Sequence, residues 1–362
     1  MQRFRFPSFP TWVPPSPGGR LRGWMLALAL VCPLLAHAGG VGIAAIKATD
    51  PVGGGAMPGF VFYPSTQATG TTAIGPYDVG AEFGVPVQPG ARPLVLISHG
   101  HGGSNLGHHD LAEWLAAHGF LVATLEHPKD NFREQSGNGQ PEVMAGRPRQ
   151  VSALLDAVLA DPEWGRLVER GRIGVAGFSA GGYTSLLLAG ATPRFDRFVG
   201  YCQRHREDRD TCSVVEGLAA DGRLDAALAA LQAGMSSWGA VADPRIRAAF
   251  AMAPQSIVFD RDGAASIDRP VFLYYGTADR VLPPDENAQR LAPLVPTLAA
   301  VKKVEGAGHW VFLAPCTPTL AREAGDICRD PQGIDRARVH AQINADALAF
   351  FRDALGKRDR GN

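Results

Sequence analysis

Short apolar runs, many of them β-branched, recur along the chain, and segments with helical spacing stand between them. Residues 41–47 and 59–63 read as opening strands, an antiparallel edge of a sheet. Residues 93–98, 120–125, 172–178, 246–252, 271–275 and 301–304 are near-continuous apolar runs, as expected for strands buried on both faces. Helices are predicted over 111–118, over 147–160 with Val151, Leu154, Leu155 and Val158 on one stripe, over 180–191, and over 335–355. His340 falls inside the last of these, between Arg338 and Gln342, and reads as a solvated side chain. Residues 65–91, rich in Gly, Thr and Pro, read as a surface loop. Residues 194–245 break the rhythm with a charged stretch and read as an excursion or lid, not a second domain. Strands alternating with helices predict an α/β fold: a mostly parallel sheet covered on both faces. Reactive groups in such sheets gather at the carboxyl ends of the strands.

Residues 1–38 do not fit this pattern. Arg3, Arg5, Arg20 and Arg22 precede a short apolar run from Trp24 to Leu35, and Ala36-His37-Ala38 follows. A positive head, a short apolar core and small residues at a cleavage point predict a secretory signal removed after Ala38, which implies a periplasmic or secreted protein without stable membrane insertion. The core is short for a bilayer span. Residues 39–362 then form one α/β domain. The 35 basic and 35 acidic residues balance to a net charge of +0, and no basic stripe stands out, so nucleic acid is not an expected partner. Removing the signal leaves four cysteines, and their short spacing in an exported chain predicts disulfides Cys202–Cys212 and Cys316–Cys328.

Candidate chemistry centres on Gly177-Phe178-Ser179-Ala180-Gly181. A serine flanked by glycines between a strand and a helix matches a nucleophile elbow, where the hydroxyl is exposed on a strained turn. Such a serine needs a base and an orienting carboxylate, in the chain order Ser, Asp, His. His309 lies in a Gly-rich loop, Gly306-Ala307-Gly308-His309-Trp310, just after a strand. Asp279 follows the strand at 271–275, whereas Asp285 and Glu286 sit near a helix start, where carboxylates stabilise exposed amides. Two backbone N–H groups must receive the oxyanion. Ala180, after the serine, and His101, in Ser98-His99-Gly100-His101-Gly102-Gly103, are the candidates. Phe178 and Trp310, beside the serine and the histidine, are the candidates for substrate contact. His99, His101, His108, His109 and Asp110 offer a rival zinc cluster. The serine constellation already accounts for that loop, so neither a metal nor a cofactor is expected.

Together the elbow, Ser98-His99-Gly100, Gly276 to Asp279 and Gly306 to His309 resemble the α/β-hydrolase superfamily. More narrowly, the chain is similar to the exported bacterial proteins called predicted dienelactone hydrolases, which are related to platelet-activating factor acetylhydrolases. The resemblance covers about residues 41–352. It implies Ser179 as nucleophile, Asp279 as acid, His309 as base and the amides of Ala180 and His101 as oxyanion donors. It also implies hydrolysis of small-molecule or lipid esters, with short or medium acyl groups or short-chain or oxidised phospholipids. Dienelactone hydrolases carry cysteine where this chain has Ser179, which favours ester hydrolysis. Competing readings are a peptidase on the same scaffold and a non-catalytic binding protein that keeps the fold.

Overall fold

The computed structural model describes residues 39–138, 140–238 and 241–356, so the expected signal at residues 1–38 lies outside them. The strands are β1 (Val41–Thr49), β2 (Ala56–Pro64), β3 (Thr72–Ile74), β4 (Tyr77–Val79), β5 (Glu82–Phe83), β6 (Arg92–Ser98), β7 (Leu121–Leu125), β8 (Val168–Phe178), β9 (Ile246–Met252), β10 (Val271–Gly276) and β11 (Leu298–Val304). The helices are α1 (His109–Ala117), α2 (Pro141–Met144), α3 (Arg147–Ala160), α4 (Ala180–Leu188), α5 (Phe195–Arg204), α6 (Arg209–Ala220), α7 (Leu224–Trp238), α8 (Arg261–Ala265), α9 (Ala288–Leu291), α10 (Pro318–Glu323) and α11 (Arg336–Gly356).

Nine strands form one sheet in the order β11-β10-β9-β8-β6-β7-β2-β1-β5. From β11 to β7 the neighbours run parallel, while β2 pairs antiparallel with both β7 and β1. The opening strands thus lie near an antiparallel edge, as their sequence suggested. The central strands are apolar throughout because helices cover both faces. One apolar layer packs Val151, Leu154, Leu155, Leu186 and Phe259 on one side of the sheet. Another packs Leu111, Leu115, Ala347 and Phe351 on the other.

Residues 65–91 hold more structure than a surface loop. They contain the β3–β4 hairpin and β5, and Val79 and Ala81 are fully buried. These strands have two or three residues each, too few to show an alternation in sequence. Residues 194–245 are an excursion built from α5, α6 and α7. Cys202–Cys212 and Cys316–Cys328 are disulfide-bonded. No helix among the described residues is long and apolar enough to cross a membrane.

Candidate active site

β8 delivers Ser179 to the carboxyl edge of the sheet, and α4 starts directly after it. Ser179 has φ +55°, a conformation that L residues adopt only under constraint. Two glycines make that turn possible. A Cβ on Gly177 would stand 2.1 Å from the Gly181 carbonyl oxygen, and one on Gly181 would stand 1.9 Å from that of Ser98. The turn is pinned from the neighbouring strand: the Ser179 amide donates to the Met252 carbonyl at 2.9 Å, and Gln255 N–H donates to the Ser179 carbonyl at 3.1 Å. The serine is half-buried.

Asp279 stands just beyond β10, two strands from β8, and His309 opens a 3-10 turn, His309–Phe312, after β11. His309 Nδ1 donates to Asp279 Oδ2 at 2.7 Å. The other carboxylate oxygen accepts the amides of Val281 at 2.9 Å and Leu282 at 2.8 Å. A carboxylate that accepts three such bonds is fixed in orientation and holds the proton on the imidazole Nδ1. Both residues are buried, and the Phe178 ring packs 4.7 Å from that of His309, centre to centre. Phe178, next to the serine, therefore touches the histidine.

The loop after β6 lies beside the elbow, with Ser98 paired to Gly177. It approaches so closely that a Cβ on Gly100 would stand 3.4 Å from Ser179 Cβ. The His101 amide makes no hydrogen bond among the described residues. The Ala180 amide, at the first turn of α4, has no intrahelical acceptor. The Ala180 amide thus follows the serine directly, and the His101 amide lies in the adjoining loop.

Sequence reading missed what holds this loop. Arg147, 1% exposed, pairs with Asp130 and donates to the His99 carbonyl, and it also reaches Thr184 at 3.3 Å. Asp130 is bonded in turn to the His101 ring and to the Gly102 amide at 3.2 Å. Burial alone would raise the Asp130 carboxyl, but Arg147 and His101 hold it down to about 2. His99 and His127 are neutral in the same layer. Burial and then Arg147 push His99 down to about 3, and burial likewise lowers His127.

His340 corrects the sequence reading: it is 4% exposed, not solvated. Its Nδ1 donates to Asp110 Oδ2 at 2.6 Å and its Nε2 to the Val311 carbonyl at 2.8 Å. Two donating nitrogens make it an imidazolium. Burial opposes that charge, but Asp110 and the Val311 carbonyl raise its pKa. His340 therefore anchors the turn that begins with His309. The histidine-rich loop does not converge as a cluster. Its members have separate partners, and among the described residues no three His, Cys, Asp or Glu side chains are placed to hold a metal.

One cavity reaches the serine, and a second borders the loop after β6. One, of about 300 Å³, reaches Ser179 and His101 and is walled by Phe198 and Val199 of α5, Leu218 of α6, and Leu228 and Leu231 of α7. The excursion is thus its apolar wall. The other, of about 590 Å³, also borders His101, with Tyr77, Phe132, Phe178, Trp310, Leu320 and Ile327 around it. Phe178 and Trp310 both line this second cavity. Each disulfide staples one wall: Cys202–Cys212 joins α5 to α6, and Cys316–Cys328 spans the segment that contains α10.

Residues 79–214 match the dienelactone hydrolase family. That segment contains Ser179, Ala180 and His101 but neither Asp279 nor His309, which rest on the geometry above. No curated protein matches the sequence. Among solved structures the chain is similar to a ferulic acid esterase from Streptomyces cinnamoneus, with 19% identity, a TM-score of 0.58, and coverage of 89% of this chain and 93% of that one. The strand order, the elbow between β8 and α4 and these similarities agree: the chain is an α/β-hydrolase-fold protein with a dienelactone-hydrolase-like segment over residues 79–214.

Proposed function

We propose that this protein is an exported serine hydrolase that cleaves carboxylic esters. The observation that carries this reading is the strained Ser179 turn beside the buried Asp279–His309 pair. His309 Nε2 takes the proton of the Ser179 hydroxyl as it attacks the ester carbonyl. The carbonyl oxygen, now an oxyanion, is received by the amides of Ala180 and His101. Asp279 holds the tautomer and stabilises the imidazolium, which then protonates the leaving alcohol. Water, deprotonated by the same histidine, attacks the acyl-enzyme and frees the acid and Ser179.

The 300 Å³ cavity favours an apolar acyl group of short or medium length, among them those of short-chain or oxidised phospholipids, because most of its lining residues are aliphatic or aromatic. Ester cleavage also accords with the family matched by residues 79–214 and with the esterase activity named for the similar structure. Export is supported by the signal-like residues 1–38 and by two disulfides, which persist in oxidising compartments. The test is hydrolysis of p-nitrophenyl esters from acetate to palmitate by the mature protein and by Ser179→Ala. Activity on the shorter chains that Ser179→Ala abolishes is expected. Equal activity in the variant would remove Ser179 from the mechanism.

A further inference from the structure

We infer that the His101 side chain is a specificity-determining hydrogen-bond acceptor, selecting esters that carry a free hydroxyl within a few bonds of the carbonyl. This inference rests on the ester-hydrolase reading of the same site. Its basis is the Arg147–Asp130–His101 chain. Asp130 is fully buried and ionised, and a carboxylate only accepts, so the His101 nitrogen bonded to it, Nδ1, carries the proton. Arg147 already pairs with Asp130 through the other carboxylate oxygen, so the carboxylate does not depend on His101 for a positive charge. Nε2 is then a lone-pair acceptor, and it has no partner among the described residues.

The position of the ring gives that lone pair a use. His101 is 39% exposed at its side chain, and it is the one residue of the loop after β6 that borders both cavities. An ester on Ser179 must place its acyl part and its alcohol part on opposite sides of the carbonyl carbon. In the proposed mechanism the amide of the same residue receives the oxyanion. Nε2 therefore lies near the ester group itself, not at the far end of either cavity. The donor it can serve is a hydroxyl close to the carbonyl, supplied by a hydroxyacyl group or by a polyol alcohol. Arg147 and Asp130 fix the ring, so little rotational freedom is lost when such a hydroxyl binds.

The experiment compares ethyl 3-hydroxybutyrate and 2-hydroxyethyl butyrate with their methyl ethers and with ethyl butyrate, by pH-stat at pH 8. The wild type is expected to prefer at least one hydroxyl ester over its methyl ether by about three- to tenfold in kcat/KM, the range of one net hydrogen bond. Preference on the first pair identifies an acyl-side hydroxyl, and preference on the second an alcohol-side one. His101→Phe is expected to bring that ratio to about one, and His101→Gln, which restores an acceptor, to recover part of it. A wild type that cleaves ethyl butyrate but shows no preference in either pair overturns the inference and leaves the esterase reading intact. An unchanged ratio in His101→Phe does the same. A wild type inactive on every ester, here and on the p-nitrophenyl series, overturns both.

Discussion

A serine held at φ +55° carries about 1–3 kcal/mol of backbone strain, which the surroundings must offset. Here the offset is structural: the Met252 carbonyl and the Gln255 amide pin the turn from β9, while Gly177 and Gly181 remove the two side chains that would block it. The carboxylate of Asp279 is held with similar redundancy, and this makes it a clean test. Asp279→Asn keeps the oxygen that accepts from Val281 and Leu282, so the loop should stay folded, but it offers His309 the wrong hydrogen-bonding partner. A loss of about 10⁴ in kcat with an unchanged melting temperature is expected on the ester substrates. Retention of most of the activity would assign the orienting role elsewhere. At this scale the chain was legible where chemistry sits in a local motif. Ser179 follows β8 directly, Asp279 and His309 stand three and five residues beyond β10 and β11, and a glycine lies close before each. Asp130 and Arg147 were not legible, because their significance comes from contacts 17 and 48 residues apart along the chain, with no motif around either.

Between elements, the turn that carries His309 is tied to α11 and α1 through His340 and Asp110. No helical periodicity could have shown this, since the partners lie 230 residues apart and a histidine two positions from both Arg338 and Gln342 resembles a surface residue. Asp110→Asn leaves a buried imidazolium without its counter-charge and should cost about 3–5 kcal/mol, seen in chemical denaturation. The sign of the pH dependence follows from the two shifts. His340 is raised, so its share of stability is complete below the ordinary imidazole range and fades as pH climbs through its folded value. Asp110 is lowered, chiefly by His340 against the opposing effect of burial, so its share is present above the ordinary carboxylate range and is lost on acidification. Wild-type melting temperature should therefore fall toward both extremes, and Asp110→Asn should flatten both slopes. Unaltered slopes would mean that the pair does not titrate with folding. The buried parallel strands were the easily read elements, because two covered faces force a continuous apolar run. The short strands of residues 65–91 were not, since their order depends on packing against the sheet.

At the scale of the molecule, the sheet edge holds the candidate chemistry and two add-on segments shape the cavities around it. The helices α5–α7 wall one cavity, and the α10 segment lines the other. Each is closed by a disulfide spanning 10 or 12 residues, and removing either should cost about 3 kcal/mol by the loop-entropy relation. Paired Cys→Ser variants separate the two walls. Cys202→Ser with Cys212→Ser should broaden acyl-chain preference across the p-nitrophenyl series. Cys316→Ser with Cys328→Ser should alter discrimination among alcohol groups and leave the chain-length profile in place. Identical profiles in both variants would show that the walls do not act separately. The two disulfides close helical segments outside β8, β10 and the His309 turn, which bears on how the protein matures. Under the proposed reading as an exported esterase, a copy folded under reducing conditions would keep its reactive centre while its two walls stay unfastened, so thiol oxidation would tune which esters it accepts.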